Sequence, residues 1–168
     1  MIRSPDGSIP GAMLLRIVII ALSLGGLVIS LYFTFAYYGR VKKARWVPAI
    51  LCAREGSSCV TVVQTPYARV FGVPNSLLGI VYYVALIIGA MKDWSYGINL
   101  YMYVTNVVFP FAFGLLIFIS AGTVALGFYL IYALRRRLHI DCPLCYIAHA
   151  INAALLVLLI LRTHWMLA

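Results

Sequence analysis

The sequence predicts an all-α membrane protein: a bundle of four transmembrane helices with a partly helical capping loop between helices 1 and 2. Three observations point there. Of 168 residues, 64% are hydrophobic and 10% charged, with a mean hydropathy of +1.01, whereas a soluble domain is nearer a quarter charged. Apolar runs recur four times at a length that suits a bilayer, whose hydrocarbon core needs about 20 residues per helix. Between the first two runs lies the largest polar stretch, long enough to cover one end of a bundle. The whole chain, 1–168, reads as one domain.

The elements follow in order. Met1–Gly11 holds two prolines, Asp6 and serines and reads as a short disordered tail. The first span covers 13–38; it is too long for a signal peptide, and no small-residue cleavage site follows it. Within it, Gly25 and Gly26 either admit a neighbouring helix closely or weaken the helix locally. The cap, 39–72, carries Cys52 and Cys59 with six residues between them, and its prolines limit it to short helical pieces. The second span, 73–92, opens at Pro74 and Asn75. The third apolar run, Leu100–Leu134, has 35 residues, too many for one upright span and too few for two with a turn. The span is therefore put at 105–134, with Pro110 where an interfacial lead-in or a kink gives way to it. The fourth span covers 142–162.

Four spans place both termini on one membrane face, and the cap and the linker Arg135–Asp141 together on the other. Both cysteine pairs then share a face. The net charge of +9 does not imply nucleic acid in such a chain; its distribution carries the information. The cysteine face bears Arg40, Lys42, Lys43, Arg45, Arg54, Arg69, Arg135, Arg136 and Arg137, against Arg3, Arg16, Lys92 and Arg162 opposite. Cytoplasmic loops are the ones enriched in Lys and Arg, so the charge asymmetry predicts a multi-pass cell-membrane protein with its thiols facing the cytoplasm. Disulfides are rare there except in hyperthermophiles. The alternative is extracytoplasmic thiols, with the cations serving docking or thiolate stabilisation.

The chemistry lies in the four cysteines. Cys142-Pro143-Leu144-Cys145 opens the fourth span, and a two-residue gap at a helix start is the geometry of a thiol–disulfide pair, because backbone N–H groups and the helix dipole stabilise a thiolate there. Asp141 is expected to cap this helix, Pro143 fits its first turn, and Arg135–Arg137 are expected to lower the thiol pKa values. Cys142, Cys145, His149 and Asn152 fall at i, i+3, i+7 and i+10, one face of a helix, and that face should point into the bundle. Two pairs with no cysteine left over suggest electrons passed from one pair to the other.

Other readings stay open at this point. A four-cysteine zinc site suits the C-x-x-C, but the six-residue gap of the other pair is longer than usual. Two inert structural disulfides in a small membrane transport or scaffold protein form the rival from another class; against it, a C-x-x-C bridge is strained and redox-labile, and the spans hold few ionisable residues. Haem attachment fails because Tyr146 follows Cys145. Many of the twelve tyrosines sit near span ends as interface anchors. Tyr82 and Tyr83 read as packing residues, one of which could line a pocket.

At these residues the chain resembles the vitamin K epoxide reductase family, in its archaeal and bacterial four-helix, disulfide-forming type. The likeness rests on an ordered set: the Cys52/Cys59 pair, Asn75-Ser76-Leu77-Leu78-Gly79 at the second span, the C-x-x-C at Cys142/Cys145, and Ala150-Ile151-Asn152 after it. The four-helix quinone-linked thiol oxidase of the bacterial periplasm carries its C-x-x-C in the first loop instead. The resemblance implies a thiol:quinone oxidoreductase with no metal, fed from the membrane quinone pool by a quinone of the ubiquinone or menaquinone type. It implies that Cys145 reacts with the quinone ring, that Cys142 is its partner, that Cys59 exchanges disulfides with Cys142, and that Cys52 meets a thioredoxin-like protein on a separate chain. Asn75 matches the position that hydrogen-bonds a quinone carbonyl. Two departures stand out: His149 occupies the place of a tyrosine in the animal enzymes, and Thr65 that of a serine. Both keep a hydrogen-bonding group, so both are expected at the quinone site.

Overall fold

The computed structural model describes residues 10–40, 58–70, 72–91 and 102–167. Among them, four helices of 17 residues or more dominate: α1 (Pro10–Tyr37), α3 (Asn75–Met91), α4 (Met102–Ala133) and α5 (Pro143–Leu167). The short α2 (Ser58–Gln64) belongs to the cap. It is followed by a single 3-10 turn, Pro66–Ala68, and a two-stranded antiparallel hairpin, β1 (Arg69–Val70) with β2 (Val73–Pro74). That hairpin turns through Gly72 at φ 79°, a conformation that costs glycine little and other residues more. Cys52 lies outside the described residues, as do Lys42, Lys43, Arg45, Arg54, Arg3 and Lys92. The backbone of Cys59 is in α2, while its side chain lies outside them.

Three of these helices are long and apolar enough to cross a membrane: Met13–Tyr37, Gly114–Leu138 and Pro143–Arg162. The fourth apolar helix, α3, is shorter, at 17 residues. Large apolar side chains crowd the outer surface, among them Val81, Phe118 and Phe128, each more than two-thirds exposed. Hydrocarbon is the solvent that tolerates such a surface. The polypeptide is thus a mostly helical membrane protein, and α4 runs through Pro110 as one continuous element.

Helix α1 is the spine, packing against α2, α3 and α5, while α4 packs on α5. It ends in a Schellman motif: the N–H of Arg40 reaches Phe35 O (3.0 Å) and that of Gly39 reaches Ala36 O (3.1 Å), with Gly39 at φ 68°. The far end of α3 is satisfied by a side chain instead. Arg16 of α1 donates from Nε to Ala90 O (2.5 Å) and from its guanidinium to Met91 O (2.7 Å). An arginine inside the first span thereby serves the free carbonyls of a neighbouring helix end.

Two apolar clusters stack along the bundle. One joins Tyr32, Phe33 and Ala36 of α1 to Val62 and Val63 of α2, Leu134, and Cys142, Leu144 and Cys145. The other joins Ile19 of α1, Tyr82, Tyr83 and Leu86 of α3, and Leu155 and Leu159 of α5. Between α4 and α5 the chain makes a π-helical turn, Leu134–Leu138, and then reverses through His139 in the left-handed region (φ 52°). That short reversal sets Cys142 at the foot of α5 and against the underside of the cap.

Candidate active site

Cys142 occupies the N-cap position of α5: its carbonyl accepts from Cys145 N (3.0 Å) and Tyr146 N (3.2 Å). Its side chain is fully buried. The two sulfurs lie 2.6 Å apart, with Cys145 Sγ donating to Cys142 Sγ. Cys142 stands just before the apolar span Pro143–Arg162, and its thiol pKa is held below the usual range. The Cys145 thiol hydrogen bond is the main cause; burial opposes it, and the backbone N–H groups of Cys145 and Leu144 reinforce it. Ionisation is therefore eased at Cys142, at the helix terminus.

This corrects two sequence expectations. Asp141 does not cap the helix; Cys142 caps it itself, and the Asp141 carboxylate accepts from Tyr146 OH at 3.1 Å. Nor do the arginines face the thiols. Arg135, Arg136 and Arg137 are exposed, and Arg135 donates to Tyr146 OH (3.3 Å) and stacks on its ring at 5.4 Å. Among the described residues, the Cys145 thiol and the backbone N–H groups of Cys145 and Leu144 favour the Cys142 thiolate.

Below the pair lies a cavity of about 450 Å³, within the roughly 300–1,000 Å³ of small-molecule sites. Its wall draws on all four long helices and on α2. Cys145, Asn75 and His149 line it, and so does Asn152, so the i+3, i+7 and i+10 positions of the sequence pattern meet on one wall. Leu78, Val81 and Ile119 line it too while remaining exposed on the outer surface, which opens the cavity toward the side of the bundle.

Asn75 stands at the first position of α3, beside Ser76. Ser76 Oγ lies 3.0 Å from Thr34 Oγ1, whose hydroxyl also reaches Ser30 O at 2.8 Å. These small polar residues draw α1 and α3 together: a Cβ on Gly79 would come within 2.6 Å of Ser30 Oγ. His149 lies against Gly127 of α4, where a Cβ would approach its Nδ1 to 2.7 Å. That Nδ1 is buried with no hydrogen-bond partner among the described residues. Thr65 is not brought to the cavity wall. Its hydroxyl donates back to the carbonyl of Val62 at 2.7 Å, a residue that lines the cavity together with Val63.

Tyr82 and Tyr83 do more than pack. Both line the cavity; Tyr82 OH pairs with Ser120 Oγ of α4 at 2.9 Å, and Tyr83 OH donates to Asn152 Oδ1 of α5 at 2.6 Å. These partners are 38 and 69 residues away in sequence, beyond the reach of any local spacing rule.

A mostly apolar cavity with a redox-capable thiol and a few convergent donors on its wall suits a quinone head group. Comparison with individually curated proteins finds no match. The model of the vitamin K epoxide reductase family, in contrast, matches residues 17–160, a stretch that holds every cysteine and the whole cavity wall. The chain belongs to the vitamin K epoxide reductase family, whose members are membrane thiol oxidoreductases linked to quinone.

Proposed function

We propose that this chain is a disulfide-forming thiol:quinone oxidoreductase, carrying electrons from a separate thioredoxin-like protein through Cys52/Cys59 and Cys142/Cys145 to a quinone of the ubiquinone or menaquinone type. The observation that carries this reading is the position of Cys145: its sulfur is 2.6 Å from that of Cys142, and it forms part of the wall of the cavity that Asn75 and His149 also line. With α3 as the fourth span, the cap and the foot of α5 fall on one membrane face, where the two pairs can meet.

The relay is thiolate attack, one sulfur at a time. A partner thiolate attacks Cys52 and opens the Cys52–Cys59 disulfide; the partner's second thiol then closes the partner's own disulfide and leaves Cys52 and Cys59 reduced. The Cys59 thiolate attacks Cys142 and expels Cys145 as a thiolate. Cys52 closes back on Cys59 and returns Cys142 to its thiolate form. Reforming Cys142–Cys145 from the two thiolates releases two electrons, which a quinone bound in the cavity would accept; the two protons that complete its reduction are those given up when the attacking thiols became thiolates. Asn75 and His149 line that space, and donors fixed in a dry site would stabilise developing oxygen charge strongly.

The test is quinone-dependent oxidation of a reduced thioredoxin-like protein by the purified enzyme. Cys145→Ala is expected to abolish turnover; a variant that still turns over at the wild-type rate contradicts the proposal. For orientation, the Lys/Arg asymmetry supports a cytoplasmic cysteine face. A membrane-impermeant thiol reagent on intact cells should then leave Cys52 unlabelled in a Cys59→Ala variant, and ready labelling would place the thiols outside.

A further inference from the structure

We propose that Asn152 is a second amide donor to the ligand's carbonyl oxygen, and that Tyr83 is the positioning residue that fixes it. The inference rests on the quinone-site reading above and adds two residues to it. Tyr83 OH donates to Asn152 Oδ1 at 2.6 Å. With Oδ1 as the acceptor of the Tyr83 hydroxyl, the orientation of the amide is set. The Asn152 NH2 group is then turned away from Tyr83, and it donates to no described residue, while the side chain forms part of the cavity wall. An amide donor without an acceptor in an apolar surround is costly; an acceptor entering the cavity relieves that cost, and a carbonyl oxygen is the one a quinone offers.

The neighbouring helix is shaped to hold the tyrosine there. Gly26 of α1 faces its ring so closely that a Cβ would fall 2.2 Å from the ring carbon bearing the hydroxyl. Tyr83 is nearly fully buried, with 3% exposure, so its hydroxyl has little freedom to choose another partner. The linked residues Gly26, Tyr83 and Asn152 tie α1, α3 and α5 together at the level of His149, one turn along from it on the same helix face.

Steady-state kinetics with a soluble short-chain quinone, alongside quinone-free reduction of Cys142–Cys145 by dithiothreitol, separates the two half-reactions. Asn152→Leu and Tyr83→Phe are each expected to raise the quinone KM about tenfold, the scale of one lost neutral hydrogen bond, with the dithiothreitol step unchanged. Because Tyr83 acts through Asn152, the double variant should be no worse than Asn152→Leu alone. An unchanged quinone KM in both single variants overturns the proposal, as does strict additivity in the double variant or an equal slowing of both half-reactions. Failure of the wild-type protein to oxidise thiols with quinone would instead sink the functional reading itself.

Discussion

At the scale of residues, Cys142 and Cys145 are chemically unequal although they share one motif. Cys142 holds the helix-terminal position and receives the hydrogen bond from Cys145, so its thiol ionises more easily than an ordinary cysteine. Removing that donor should raise its pKa. In a background with Cys52 and Cys59 replaced by alanine, Cys145→Ala is expected to move the thiolate ultraviolet titration of Cys142 to higher pH; a shift to lower pH, or none, would mean the backbone N–H groups hold the charge without help. Much of this is legible in the sequence, since Cys145 of the C-x-x-C, Asn75 and His149 all line the cavity. The capping role is not. Asp141 is the residue type that usually caps, yet the chain reverses at His139 in such a way that the helix begins one residue later, and Cys142 takes the place. Thr65 likewise has the right chemistry at the wrong end of a bond: a hydroxyl three residues after a helical carbonyl returns to it.

At the scale of elements, the helix periods were readable and their mutual fit was not. A strip of Cys, Cys, His and Asn at helical spacing implies a bundle-facing side, and Cys145, His149 and Asn152 do share one wall. Which helix each residue meets depends on pairs far apart in the chain, such as Tyr83 with Asn152 or Arg16 with the end of α3. The sequence left Gly25 and Gly26 as either a contact point or a weak point. Gly26 proves to be the contact, through a tyrosine ring rather than a helix backbone. Gly26→Ala should therefore overpack the α1–α3 seam and cost about 1–3 kcal/mol, read as a lower thermal midpoint in detergent. A midpoint equal to or above that of the wild type would show that the ring can move aside freely.

At the scale of the whole molecule, α1 gathers the cap, α3 and α5 around one chamber, and α4 closes it on the far side through α5 and the Tyr82–Ser120 hydrogen bond. Composition alone placed the chain in a membrane, because an outer surface carrying Phe118 and Phe128 cannot be reconciled with water. The short α3 is where composition was least decisive: it has 17 residues, fewer than the three helices long enough to cross a membrane, and Arg16 caps its last carbonyls. On the proposed reading, a ring bound in the chamber would lie beside Cys145, which forms part of its wall. The most direct measurement uses a variant keeping only Cys145, treated with a lipid-permeant maleimide in membranes with and without added quinone, and scored by intact-protein mass. Slower labelling of Cys145 at saturating quinone is the predicted result; a labelling rate indifferent to quinone would contradict the placement of the quinone beside this thiol.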